Sequence, residues 1–173
     1  MARENKSHGS GEFQREQIRC CPSSVVIENG VLLFHPENIS FGENVYIGHN
    51  TILKGYWNNE MHIGKNCWIG QMCFFHSAGG ITIGNNVGIG PCVKILTSKH
   101  VDESTDIPII ENPVSFSPVV IEDDCDIGIG AIIMPGVTIG KGSQIAAGAV
   151  VTKSTEPYSI AVGIPANVKR FRI

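Results

Sequence analysis

A chain of 173 residues with a formal charge of -3 is long enough for one domain with a substantial core, and too short for two comfortable ones. Its charge offers no electrostatic footprint for nucleic acid and no lysine or arginine cluster for a membrane surface, so small molecules or other protein chains are the expected partners. No run approaches the roughly 20 apolar residues that span a bilayer, and a polar N-terminus stands where a secretory signal would be apolar, so a cytoplasmic location is expected.

The first part of the chain, MARENKSHGSGEFQREQIRCC, carries no periodicity. Its Gly-Ser-Gly-Glu-Phe stretch at 9–13 reads as a possible cloning scar, so residues 1–12 are set aside and residues 1–38 are expected to be a leader and cap. From Phe41 onward an aliphatic or aromatic residue recurs every sixth position: Ile47 and Leu53; then Ile63, Ile69 and Phe75; then Ile83, Ile89 and Ile95. After a break the count resumes at Ile121, Ile127, Ile133, Ile139, Ile145 and Val151, giving fifteen slots in five sets of three.

Two further regularities hold the same register. Four residues after a slot sits a small or β-branched residue, such as Val45, Thr51, Cys67, Cys73, Val87, Cys125 or Ser143. Three residues after it sits Asn44, Asn50, Asn66, Asn86, Asp124, Gly130, Gly136, Gly142 or Gly148, the residue types that tolerate φ > 0 at a corner. Six residues hold a short strand and a bend, so three such pieces close a triangular coil, and successive coils stack at about 4.8 Å. The expectation is an all-β chain: a parallel β-helix of about five triangular coils over 39–156, with a short C-terminal tail at 157–173. Its narrow prism leaves no interior cavity, so a site must lie outside it. Cys67, Cys73 and Cys125 fall on inward positions and are expected to be reduced; no CxxC pair or spaced Cys/His set points to structural metal.

Three corners carry extra residues: Leu53 to Ile63 is ten apart, Phe75 to Ile83 eight, and Ile95 to Ile121 twenty-six. Insertions leave a solenoid at its edge, and an ordered coil seldom carries so long a loop as 97–118 without a use for it. His76 sits at the eight-residue corner and is expected on the same prism edge as the long loop. It can touch substrate or be an ordinary corner histidine. Tyr56 and Trp57, in the first insertion, offer a platform for a sugar or base ring, or packing for a neighbouring subunit.

The strings IGNNVGIG (83–90), IIMPGVTIGKGSQIAAGAVVTKS and YSIAVGIPANVKR resemble the hexapeptide-repeat acyltransferases. The likeness is to the branch of maltose, galactoside and xenobiotic acetyltransferases and of surface-polysaccharide sugar acetyltransferases. The resemblance implies left-handed coils and a homotrimer with sites between subunits. It implies acetyl-CoA as co-substrate, without a metal, and a sugar or sugar-nucleotide hydroxyl or amine as acceptor. In that family a T-x-x-H loop supplies the general base, and TSKH (97–100) matches it with His100, a residue type whose neutral ring accepts protons near working pH. Backbone N–H groups would stabilise the oxyanion.

For the donor the resemblance points to Ala147, Thr152, Lys153, Lys169 and Arg170, where small residues let an extended pantetheine arm lie on backbone and basic ones meet phosphates. Two departures concern the acceptor. The asparagine that precedes the His76 corner in the galactoside and maltose relatives is absent from IGQMCFFH, and Asp126 stands where they carry tryptophan. Asp126 is therefore grouped with His76, Tyr56 and Trp57 as facing a different acceptor. The alternatives are an antibiotic acetyltransferase, a non-catalytic β-helix scaffold, and a carbonic-anhydrase-like zinc enzyme, which would need three converging histidines.

Overall fold

The computed structural model describes residues 6–102 and 104–173. Three parallel sheets run along the chain and form the faces of a triangular prism. Face 1 stacks Ile39–Phe41, Met61–Ile63, Ile81–Ile83, Val119–Ile121 and Thr138–Ile139. Face 2 stacks Val26–Ile27, Tyr46–Ile47, Trp68–Ile69, Gly88–Ile89, Asp126–Ile127, Gln144–Ile145 and Ser159–Val162, and its edge is closed by the antiparallel Asn167–Phe171. Face 3 stacks Leu32–Phe34, Ile52–Lys54, Phe74–His76, Lys94–Leu96, Ile132–Ile133 and Val150–Val151.

Register follows the six-residue count. On face 2, Ile47 pairs with Ile69, Ile69 with Ile89, Ile89 with Ile127 and Ile127 with Ile145. Every one of the fifteen slots is at most 1% exposed, because the alternation of a strand sends each slot side chain into the prism. The inward residues four positions later are equally buried, and the polar ones among them are satisfied. Thr51 donates to the Gly70 carbonyl at 2.9 Å and Ser143 to that of Glu156 at 3.0 Å, while the thiols of Cys67, Cys73 and Cys125 donate to Gly84, Gly90 and Gly140. The inward cysteines thus link adjacent coils as weak donors as well as filling space.

The nine corner residues of the sequence pattern all have positive φ, joined by Met72 and Cys92 at equivalent places. At one corner the amides form a ladder from coil to coil. Asn44 Nδ2 donates to Asn66 Oδ1 at 3.1 Å, Asn66 Nδ2 to Asn86 Oδ1 at 3.1 Å, and Asn86 Nδ2 to Asp124 Oδ1 at 2.9 Å. That last bond, with Lys141 beside it, holds the Asp124 carboxyl below the usual range.

The stack is longer than the five coils expected, at about seven turns. An additional coil precedes Phe41, with Ile27 beneath Ile47, Leu33 beneath Leu53, and Val25 and Val31 buried. The later part of the expected leader and cap therefore continues the prism. Gly11, within the segment set aside, accepts a hydrogen bond from Leu33 N at 2.8 Å, and Phe13 packs against the core. At the other end, Ser159 and Ala161 bury inward to begin a last turn before the chain doubles back.

Candidate active site

All three insertions, and the eight-residue step from Leu33 to Phe41, fall at the corner where face 3 passes to face 1. Four of the fifteen slots lack a positive-φ residue three places on. They are Leu53, Phe75, Ile95 and Val151, all at this corner, and the first three are the slots that carry insertions. The tight corner is thus replaced by chain that stands off the prism.

The long insertion is a two-stranded arm. Ser98–His100 pairs antiparallel with Val114–Phe116, with Ser98 opposite Phe116 and His100 opposite Val114, and a short 3-10 turn, Ile109–Glu111, lies near its tip. Thr97, fully buried at its base, donates to the His76 carbonyl at 2.6 Å and accepts from Gly79 N at 2.8 Å. The threonine of TSKH therefore ties the arm to the preceding corner. Gly79 is held tightly there: a Cβ would lie 2.6 Å from the Thr97 carbonyl oxygen and 2.8 Å from Ser117 N.

The His100 ring is oriented by the arm itself. Its Nδ1 lies 3.1 Å from the Asn112 carbonyl oxygen, and Asn112 is buried. A carbonyl only accepts, so the neutral ring carries its proton on Nδ1 and keeps the lone pair of Nε2 for another partner. The second insertion brings His76 close by: Tyr56 Oη lies 3.0 Å from His76 Nε2, with the rings edge-on at 5.0 Å. Burial, and then the charge of Lys54, lower the His76 pKa, which keeps that ring neutral near pH 7. The first insertion is pinned by Asn38 Nδ2, which donates to the Tyr56 carbonyl at 2.8 Å, and by Asn59 Nδ2, which donates to the Ala78 carbonyl at 2.6 Å.

These parts enclose a cleft of about 320 Å³ lined by Tyr56, His76, Ser98, Lys99, His100, Val114 and Phe116. One chain thus brings together His100, His76 and Tyr56. It does not bring the other expected residues to them. Trp57 is 74% exposed and lines an adjoining hollow. Asp126 projects from face 2, where it accepts from Gln144 Nε2 at 3.1 Å in a separate depression with Asn86, Asp124 and Arg172. Ala147 is exposed at the corner between faces 2 and 3, Lys169 and Arg170 lie on the exposed edge strand Asn167–Phe171, and Thr152 and Lys153 share the His100 corner two coils further on. Sequence reading missed Asn112, Val114 and Phe116, since pairing across the arm leaves no periodic trace. Among the described residues, no group of three or more histidine, cysteine, aspartate or glutamate side chains is placed to hold a metal ion.

The model of the hexapeptide repeat of succinyl-transferase matches residues 61–90 and 118–153, the two stretches that flank the arm. Galactoside O-acetyltransferase of Escherichia coli is 34% identical over 167 residues, covering 96% of this chain and 72% of that protein. The chain belongs to the hexapeptide-repeat acyltransferase family. This family member is also similar to a Schizosaccharomyces pombe protein named as an acetyltransferase, at 45% identity over 108 residues, which are 62% of this chain and 51% of that one. Its fold matches that of AntD, an N-acyltransferase from Bacillus cereus solved with dTDP and 3-hydroxybutyryl-CoA, with a TM-score of 0.82 at 23% identity, covering 92% of this chain and 86% of that one.

Proposed function

We propose that the chain transfers an acyl group, acetyl in the simplest case, from CoA to a hydroxyl or amine of a sugar or sugar nucleotide, with His100 as general base. The observation that carries this reading is the His100 ring, locked through Nδ1 by Asn112 while it lines a cleft of sugar size. The attacking O–H or N–H gives its proton to Nε2 as its oxygen or nitrogen bonds to the thioester carbon. Collapse of the tetrahedral intermediate then breaks the C–S bond, and the thiolate takes the proton from the imidazolium to leave as CoA thiol.

The buried cysteines supply no acyl carrier, because burial pushes the Cys73 and Cys125 thiols up to about 11. Direct attack in a ternary complex needs none. The active unit in this reading is a homotrimer. Its support is the separation of Ala147, Lys169 and Arg170 from the His100 corner within one chain, which a neighbouring prism would close by laying its own His100 arm beside them. The galactoside O-acetyltransferase relative supports a sugar-type acceptor, and the structural neighbour AntD, solved with 3-hydroxybutyryl-CoA, is consistent with CoA as donor.

The test is acetyl-CoA binding by calorimetry, followed by thiol release against sugars, amino sugars and sugar nucleotides. Saturable binding with release for one acceptor class is the expected result. His100→Ala should lower turnover at least about 10²-fold while leaving acetyl-CoA affinity intact. No binding at millimolar acetyl-CoA overturns the reading, and a variant that keeps most of its rate removes His100 as base.

A further inference from the structure

The cleft does not end at Tyr56. The same side chain forms a wall of the adjoining hollow of about 100 Å³, whose other walls are Phe34, His35, Lys54, Gly55, Trp57 and His8 of the N-terminal arm. Lys54 is the register partner of His76 one coil earlier, so the two compartments lie side by side at one corner.

Lys54 is placed unusually for a lysine. Its Nζ sits 5.6 Å from the Tyr56 ring centroid and 5.9 Å from that of Phe34, and its side chain is partly buried. Among the described residues it has no carboxylate partner. Ring faces attract a cation but replace little of the hydration it loses, and that lost hydration lowers the Lys54 pKa. An anion arriving at this ammonium would restore the missing interaction in a place where water screens it weakly.

The surroundings favour such a guest. Among the described residues the hollow's titratable walls are Lys54, His35, His8 and the shared Tyr56, with no carboxylate among them, and the Glu37 carboxylate is bonded to His35 at 2.9 Å. Its volume is too small for a second sugar ring and sufficient for one phosphoryl or carboxylate group. Tyr56 is held by the Asn38 contact to its carbonyl and by its own bridge to Asn59, so the partition between the compartments is fixed before any ligand arrives.

We infer that this hollow is an anion subsite of the acceptor site: the acceptor carries a phosphoryl group that Lys54 holds, while its reacting hydroxyl or amine lies at His100. This rests on the acyltransferase reading and narrows it to phosphorylated sugars, either a sugar phosphate or a sugar linked to a nucleoside diphosphate. The exposed Trp57 ring, on the rim, would stack the base in the second case.

The test uses the full chain and matched acceptors: one sugar, its 1-phosphate and its nucleoside-diphosphate derivative, each assayed for CoA thiol release. The kcat/KM ratio of phosphorylated to plain acceptor should exceed about 10, fall at least about tenfold in Lys54→Met, and be largely kept in Lys54→Arg. A further gain with the nucleoside diphosphate identifies that form as the source of the phosphoryl group; equal rates identify the sugar phosphate. Pyrophosphate binding, read by calorimetry without any turnover, should weaken at least about tenfold in Lys54→Met. A wild-type ratio near one, or a ratio unchanged in Lys54→Met, overturns the subsite and leaves the acyltransferase standing. Weaker acetyl-CoA binding in Lys54→Met with an unchanged ratio assigns the lysine to the donor and also overturns it. Should no acceptor release thiol, the acyltransferase reading fails, and pyrophosphate binding that is absent or indifferent to Lys54 then overturns the subsite separately.

Discussion

Replacing Thr97 by valine deletes one hydroxyl at the base of the arm while keeping the shape of the side chain. That hydroxyl makes two bonds in a fully buried position, to the His76 carbonyl at 2.6 Å and from Gly79 N at 2.8 Å. Each is worth about 0.5–1.5 kcal/mol net, and the half-buried Gly79 N–H, left without an acceptor, adds about 1 kcal/mol, the low end of the penalty for an unsatisfied group. The carbonyl, with two lone pairs, suffers less than the N–H. The expected loss is about 2–4 kcal/mol, a large part of the roughly 5–15 kcal/mol that holds a domain together. With a urea m-value of about 2 kcal/mol/M, the unfolding midpoint should fall by about 1–2 M, measured by far-UV circular dichroism at fixed protein concentration. The acceptor KM should rise in the same variant, because Thr97 joins the His76 strand to the His100 arm, while acetyl-CoA affinity should hold. A loss under about 0.5 kcal/mol would refute the claim that this hydroxyl carries the corner.

Other expectations concern the prism. Asn66 has φ 57° and sits mid-ladder, so Asn66→Ala loses two exposed side-chain bonds and replaces a residue type that tolerates the left-handed region with one that does not, for about 2–3 kcal/mol in all. Asn66→Gly keeps the backbone free and should be less destabilised by about 1 kcal/mol, and equal midpoints in urea for the two variants would contradict the backbone part of the argument. Burial raises the Cys73 and Cys125 thiols from 9.0 to about 11, so the folded chain holds these protons more tightly than the unfolded one. Their stabilising contribution is whole below about pH 9 and lost as pH rises through 11. Chemical denaturation across that window should show a steeper fall in the parent than in Cys73→Ala/Cys125→Ala. For His76 the sign is opposite: its lowered folded pKa means the unfolded chain takes up the proton first, so stability declines as pH drops below about 6.5 and levels off under the folded value. A His76→Gln variant should show a flatter profile there.

The prism was legible because its constraint is local and repeated. Each slot meets the same slot one coil away, so side-chain volume and corner conformation recur at fixed spacing, and Ile47, Ile69 and Ile89 read as a stack from their spacing alone. The first coil escaped notice for the same reason. Ile27 and Leu33 keep the count, but a step of eight to Phe41 breaks it, and the set begins at a cysteine, Cys21, rather than an aliphatic residue.

The site obeys a different rule. His100 could be found because a short motif places it, but the Asn112 carbonyl that sets its tautomer lies twelve residues away across an arm whose pairing follows from its turn, with no repeat to announce it. Lys54 was invisible for a further reason: in the sequence it is an ordinary outward residue at the end of a strand, and only the stacking of Phe34, Lys54 and His76 on successive coils gives it aromatic neighbours and strips its water. A solenoid turns sequence separations of about twenty residues into side-by-side contacts. At the corner that gathers every insertion, those contacts fall between side chains that the repeat leaves free to vary. The same geometry that makes the scaffold predictable therefore concentrates at one edge the residues whose identities the repeat does not determine.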